Sequence, residues 1–268
     1  MHSDYKSDLM KLFEQTKVSA IEKFLLENSN LPGQRANLGL ASCFADFFGR
    51  DNLGKSNISM LDSWSSMSAT DAPVNNPKEF LPFCAIQAFG ALYSHADLHR
   101  KNAILKLLKQ SANDERWRMR ESVAMAFQRI AENNLSTIEE IFSSWLKQKT
   151  TGAEKRAILV ALAHPCVLKG NKKHVKYCLQ ISDAILTEIS TYKDSQCRTD
   201  DFLILLKGLE FTVSVFIAQL PVEGFDLITN YANSKNKYII RIIKSNLSKE
   251  RLKKSYSAQV DDVLRIIT

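Results

Sequence analysis

The chain has 268 residues, 45% hydrophobic and 24% charged, which is the composition of an ordinary globular protein and excludes wholesale disorder. With 9 Gly and 6 Pro, turns are few and elements long, which excludes a many-stranded sandwich. The net charge is +7, and most of its interest lies in where that excess sits along the chain.

At the start, Met1 to Lys6 are polar and charged, with no apolar signal segment. The longest uncharged run, Phe80 to Ala96, contains Pro82, Gln87 and His95 and falls short of the roughly 20 apolar residues of a bilayer span. Five cysteines, Cys43, Cys84, Cys166, Cys178 and Cys197, form no C-x-x-C pair and read as small buried hydrophobes in a reducing compartment. The expectation is a cytoplasmic chain that makes no use of a membrane.

Apolar residues recur at helical spacing throughout, and no Val-, Ile- and Thr-rich run alternates long enough for a sheet. The fold class is therefore all-α. The spacing predicts helices over 4–14, 18–28, 34–48, 58–67, 79–93, 98–112, 115–132, 137–147, 153–163, 174–191, 200–220, 224–232, 238–247 and 258–267. Loops are expected over 49–57 and 68–78, where Gly, Pro, Asn, Ser and Asp accumulate.

In the third helix, Leu40, Phe44 and Phe47 follow 3- and 4-residue spacing, and Gly49 looks like its C-terminal cap. Gly49 to Ser56 then read GRDNLGKS, which fits G-x-x-x-x-G-K-[ST]. In a phosphate loop Gly54 lets the backbone approach the phosphates, Lys55 reaches the β/γ oxygens and Ser56 holds Mg²⁺. That chemistry demands a buried strand before the loop, and the segment before it is amphipathic helix, so a surface loop is the competing reading.

Asn76, Pro77 and Glu79 offer a helix start, with Pro82 leaving its first residue open between 77 and 82. His95 and His99 at i, i+4 are the spacing of a metal-gripping pair, but Ala96 stands where a zincin needs its base, and Asp97 fits a helix cap. His2, His164 and His174 are isolated, and no Cys or Ser sits in a nucleophile motif. Trp64, Trp117 and Trp145 fall in apolar stripes and read as core.

Residues 113–130, NDERWRMRESVAMAFQRI, are the most informative. Met119, Val123, Ala126 and Ile130 share one face that neighbouring helices must cover, while Arg118, Glu121, Gln128 and Glu132 lie on the other. Ser136 and Glu139 have the spacing of a capping box for the next helix. A second segment, 234–247, reads SKNKYIIRIIKSNL. It aligns Ser234 with Asn113, Tyr238 with Trp117 and Arg241 with Arg120 at a separation of 121 residues, which is three units of about 40.

An Asn-Asp start, an aromatic, then Arg and an apolar run resembles the second-helix signature of HEAT repeats. The chain resembles the HEAT-like repeat proteins that include the bacterial DNA-alkylation-repeat family. That resemblance implies one HEAT/armadillo-type α-solenoid over 1–268, of roughly six helix pairs. The function it implies is binding of a protein or nucleic acid, with no cofactor. An alternative rests on the resemblance of Trp117, Arg118, Glu121, Val123 and Ala124 to a stretch of the same family. It implies a glycosylase for alkylated DNA, with Glu121 stabilising an oxocarbenium-like transition state. Glu121 lies three residues after Arg118, so a solvated helical ion pair explains it as well. The family's Trp-Asp pattern is not found here. A nucleotide-binding protein using Gly54, Lys55 and Ser56 is the third reading.

Between Lys235 and Lys254 eight basic residues face the single acid Glu250, so this segment alone carries a charge equal to the chain's +7. Lys237, Arg241, Lys244, Lys249, Arg251 and Lys253 are the candidate contacts to a polyanion. A solvated cap on the last repeat calls for the same residues.

Overall fold

The structure, a computed structural model, describes residues 5–15, 17–51 and 53–267. Among them are sixteen α-helices and no strand, so the fold is all-α. The chain divides into two compact units, Met1–Glu139 and Glu140–Thr268.

The first unit holds α1 (Tyr5–Glu14), α2 (Val18–Glu27), α3 (Leu38–Asp46), α4 (Lys55–Ser65), α5 (Phe80–Leu92), α6 (Leu98–Ser111) and α7 (Trp117–Asn133). Its centre is α5, in which every residue is buried. That follows from FLPFCAIQAFGAL, apolar on all sides, whose one polar side chain, Gln87, donates to the carbonyl of Phe83. α3 and α7 each pack against α5. α5 and α7 run parallel, since Glu79 just before α5 meets Arg118 and Gly90 meets Ala126. Arg129 of α7 reaches Asp46 and Ser42 of α3. Under α1 and α4, Phe13, Phe44, Phe47, Phe48 and Trp64 form a continuous aromatic cluster.

The second unit holds α9 (Gly152–Leu162), α10 (Pro165–Leu168), α11 (Lys172–Ser190), α12 (Asp200–Gln219), α13 (Pro221–Asn230), α14 (Lys237–Leu247), α15 (Glu250–Lys253) and α16 (Ser257–Ile266), and α8 (Leu135–Leu146) spans the division. Here α12 is central. Asp201 at its start accepts from the N–H groups of Gly152 and Ala153, and Gly208 lies against Arg156, so α9 runs parallel to α12. α14 is parallel on the other side, with Phe202 edge-on to Tyr238 at 5.2 Å. Buried Asn246 accepts from the N–H of Ser214 at 2.8 Å and donates to the carbonyls of Leu209 and Ile242.

All fourteen expected helices are present, with ends shifted by up to four residues. Asn37 caps α3 through the N–H of Leu40, which starts that helix at 38 rather than 34. Asn76 caps a 3₁₀ turn, Pro77–Glu79, that feeds α5, so Pro82 falls in the first α-turn, where a missing N–H costs little. Asp97 caps α6 as expected.

Other expectations fail. Asn134, not Ser136, caps α8 by accepting from the N–H of Thr137. The reciprocal capping box belongs to Thr151 and Glu154 at the start of α9. Gly49 is no left-handed cap; among the described residues only Gly170 is a glycine with positive φ. The one-turn helices α10 and α15 escape a reading by periodicity because four residues have none. None of the five cysteines is in a disulfide, but Cys166 is exposed and Cys43 half-buried rather than core. No helix of the described residues is long and apolar enough to cross a membrane.

Candidate functional site

The apolar stripe of α7 is buried as its spacing requires, with Met119, Val123, Ala126 and Ile130 all in the core. Its charged residues behave otherwise. Arg118, expected on the solvated face, is 3% exposed. It donates to the Glu79 carboxylate at 2.9 Å, to the carbonyl of Gly33 at 2.6 Å and to the Asn75 side chain at 3.3 Å. Asn75, at φ 63, gives its N–H to the same Glu79 oxygen, and its side-chain oxygen accepts from the N–H of Gly33. Arg118 thus forms a buried pair with Glu79, because a buried guanidinium must be matched by charge and acceptors. Arg116 beside it is buried too, pairing with Asp114 and donating to the carbonyls of Met67, Ser68 and Ala72.

Trp117 is not core. It is 44% exposed, with the Arg118 guanidinium 4.4 Å from its ring centroid, within cation–π range. Together with Ala36, Leu38, Phe83 and Met125 it walls a cavity of about 180 Å³, bordered by Arg35 and by half-buried Glu121. Three residues of the glycosylase-like stretch, Trp117, Arg118 and Glu121, therefore line one pocket, whereas Val123 and Ala124 are buried packing. Sequence reasoning missed Glu79, Asn75, Gly33 and Phe83, which come from distant segments.

The phosphate-loop segment joins two helices. Gly54 precedes α4, exposed Lys55 and Ser56 open it, and Asn52 lies outside the described residues. No strand exists among the described residues, so the sheet that positions such a loop is missing. His95 sits in a 3₁₀ turn with Nδ1 3.0 Å from Asp51, while exposed His99 is on α6, so the two do not share a helix face. His2 lies outside the described residues.

Lys237, Arg241 and Lys244 stand exposed on α14, opposite buried Ile239, Ile242, Ile243 and Leu247; Arg251 and Lys253 are exposed and Lys249 half-buried. The fold brings carboxylates to this face. Lys237 pairs with Asp194 at 3.0 Å and Arg241 with Glu210, and Arg251 donates to the Ser214 hydroxyl. Hydrogen bonds from Lys237 and Arg198 hold the Asp194 carboxyl below its ordinary range. Lys244, Lys249 and Lys253 have no carboxylate partner among the described residues.

The aligned arginines of the two similar segments do different work. Arg120 donates to the carbonyls of Asp114 and Glu115 in its own approach loop, whereas Arg241 reaches across to Glu210 of α12. In comparison with known proteins, the chain matches no family model, no curated protein and no solved structure.

Proposed function

We propose that this chain is a non-catalytic HEAT-type binding protein, a solenoid of roughly six helix pairs, whose basic face on α14 and α15 engages a polyanion such as a nucleic-acid backbone. Parallel alternate helices, α5 with α7 in one unit and α9 with α12 and α14 in the other, support the repeat reading. The observation that carries the function is the exposed row Lys237, Arg241 and Lys244, continued by Lys249, Arg251 and Lys253. Such a row meets phosphates without reading bases, so binding is sequence-tolerant and salt-sensitive.

The test is retardation of a duplex DNA probe at several salt concentrations. Replacing Lys244, Lys249 and Lys253 by Glu weakens binding and flattens its salt dependence while folding survives, because exposed charges contribute little to stability. Wild-type binding by that variant, or no binding by either protein at low salt, overturns the reading.

A second reading, the glycosylase for alkylated DNA, is favoured by one observation: Trp117 and Glu121 border the same pocket. The pocket's size weighs against it, since sites for ligands of nucleoside size begin at about 300 Å³. Incubation of alkylated duplex with excess protein decides it; release of free base that Glu121→Gln abolishes makes Glu121 catalytic.

A further inference from the structure

The Trp117 pocket carries an inference that goes beyond the basic face and does not depend on it. We propose that the pocket is an anchor site for one large apolar side chain, of phenylalanine size, on a partner polypeptide that bears a carboxylate beside that side chain.

Size selects the occupant. The cavity measures about 180 Å³. An apolar cavity of roughly 150 Å³ holds benzene, while cofactor and drug-sized sites begin at about 300 Å³. One ring fits. Chemistry agrees, because Ala36, Leu38, Phe83, Met125 and the Trp117 ring present apolar surface, and Leu38 and Trp117 are 48% and 44% exposed. Large apolar side chains left open side by side around a concavity mark a binding site.

The walls are also fixed before any partner arrives. Arg118 lies over the Trp117 ring and is itself locked by Glu79, Gly33 and Asn75. Leu38 follows Asn37, whose side chain caps α3 and donates to the carbonyl of Asn28 and the hydroxyl of Tyr5. Little ordering remains to be done on binding, and a preformed pocket lined by Trp and Arg is where interfaces concentrate their affinity.

Charge selects the flank. The positive charge of Arg118 is met by Glu79, whereas Arg35 is exposed and has no carboxylate partner among the described residues. A partner carboxylate beside the anchor satisfies Arg35.

The experiment uses the full chain labelled with ¹⁵N, reading the indole N–H signals, with that of Trp117 assigned through Trp117→Phe. The probes are the capped dipeptides acetyl-Asp-Phe-amide, acetyl-Asp-Ala-amide and acetyl-Lys-Phe-amide, together with phenylacetate. We expect acetyl-Asp-Phe-amide to shift the Trp117 signal saturably while those of Trp64 and Trp145 stay in place. The Ala probe should bind at least about tenfold more weakly. Arg35→Glu should transfer the preference from the Asp-Phe to the Lys-Phe probe, and if that variant does not fold, Arg35→Gln should erase the preference. The proposal is overturned if the Asp-Phe probe produces no saturable shift, if the Ala probe binds equally, or if the charge preference survives both Arg35 variants. Phenylacetate binding as tightly as the dipeptide would assign the pocket to a small aromatic acid and overturn the polypeptide partner. A Trp117 signal that moves with protein concentration alone would assign it to a second copy and overturn it likewise. None of these outcomes bears on DNA retardation by the α14 face.

Discussion

Replacing Gly90 by Ala should destabilise the first unit, although Ala is the better helix former. Gly90 lies in α5 where it crosses α7, and a Cβ built there stands 2.4 Å from the carbonyl oxygen of Ala126 and 2.5 Å from its Cα. Both are backbone atoms, so no rotamer change makes room and the two helices must move apart. Moving them opens the most extensive helix contact of the unit. Helix propensity favours Ala by up to about 1 kcal/mol, while overpacking a close contact costs about 1–3 kcal/mol and more when only backbone can yield. The clash wins, by about 1 kcal/mol or more after the propensity gain is subtracted. Gly39 supplies the internal control: it is exposed in the first turns of α3, and a Cβ there meets nothing closer than 3.7 Å. Gly39→Ala should therefore gain up to about 1 kcal/mol. Urea unfolding followed by circular dichroism compares the two, with thermal midpoints expected to move by about 2–4 °C per kcal/mol in opposite directions. A Gly90→Ala protein as stable as wild type would refute the parallel register of α5 and α7.

Three further outcomes follow from buried polar groups and are read by the same unfolding measurements. Arg118→Met should cost about 3–5 kcal/mol by leaving Glu79 buried and unpaired, and adding Glu79→Leu should restore part of it; a double variant that loses the sum of both single losses would refute the pairing. Asn246→Leu should cost about 2 kcal/mol or more, since the Leu209 carbonyl and Ser214 N–H lose their partner; a loss under about 0.5 kcal/mol would show the bridge between α12 and α14 to be idle. For Glu188, burial raises the carboxyl pKa, but hydrogen bonds from Lys155 and Tyr192 outweigh it and the net shift is downward. A lowered folded pKa means stability that is present above the unfolded value and lost as pH falls through the folded one, so wild type should weaken from about pH 5 downward. Glu188→Gln should flatten that loss, and an unchanged acid slope would count against the Lys155–Glu188 pair.

What the sequence made legible was local. Helix positions and the buried stripe of α7 follow from spacing within one segment, and they appear in the structure nearly as read. Arg118 and Trp117 show where residue type misled. Arg118, set on the polar face with Glu121, lies four residues before Ser122 and eight before Ala126, both of which the structure buries, and it follows them inward. Trp117, read as core with the other tryptophans, shares its face with Glu121 and Gln128 and is exposed. The partner that lets Arg118 be buried, Glu79, lies 39 residues away, and no local pattern announces it. The pocket was likewise invisible, because Leu38 and Phe83 join Trp117 only through tertiary packing.

The same limit decides how strongly the basic face responds to salt. Counted along the chain, six cations stand ready for phosphates, and six contacts on duplex DNA give a slope of about 5.4 in the logarithm of affinity against the logarithm of salt. The fold sets Asp194 beside Lys237 and Glu210 beside Arg241, two carboxylates that come from the loop between α11 and α12 and from α12 itself. Exposed ion pairs are weak and a phosphate can open them, but the carboxylates stay on the face after the pair opens and repel the phosphate in turn. Two of the six cations are thereby cancelled. Four effective contacts give a slope of about 3.6, so raising salt from about 50 to about 200 mM should weaken binding roughly a hundredfold rather than a thousandfold. Asp194→Asn with Glu210→Gln should return both cations, tighten binding and steepen the slope toward about 5.4. If the double variant binds with the wild-type slope, phosphates do not meet α14 at Lys237 and Arg241, and the contact runs through Lys244, Lys249, Arg251 and Lys253 alone.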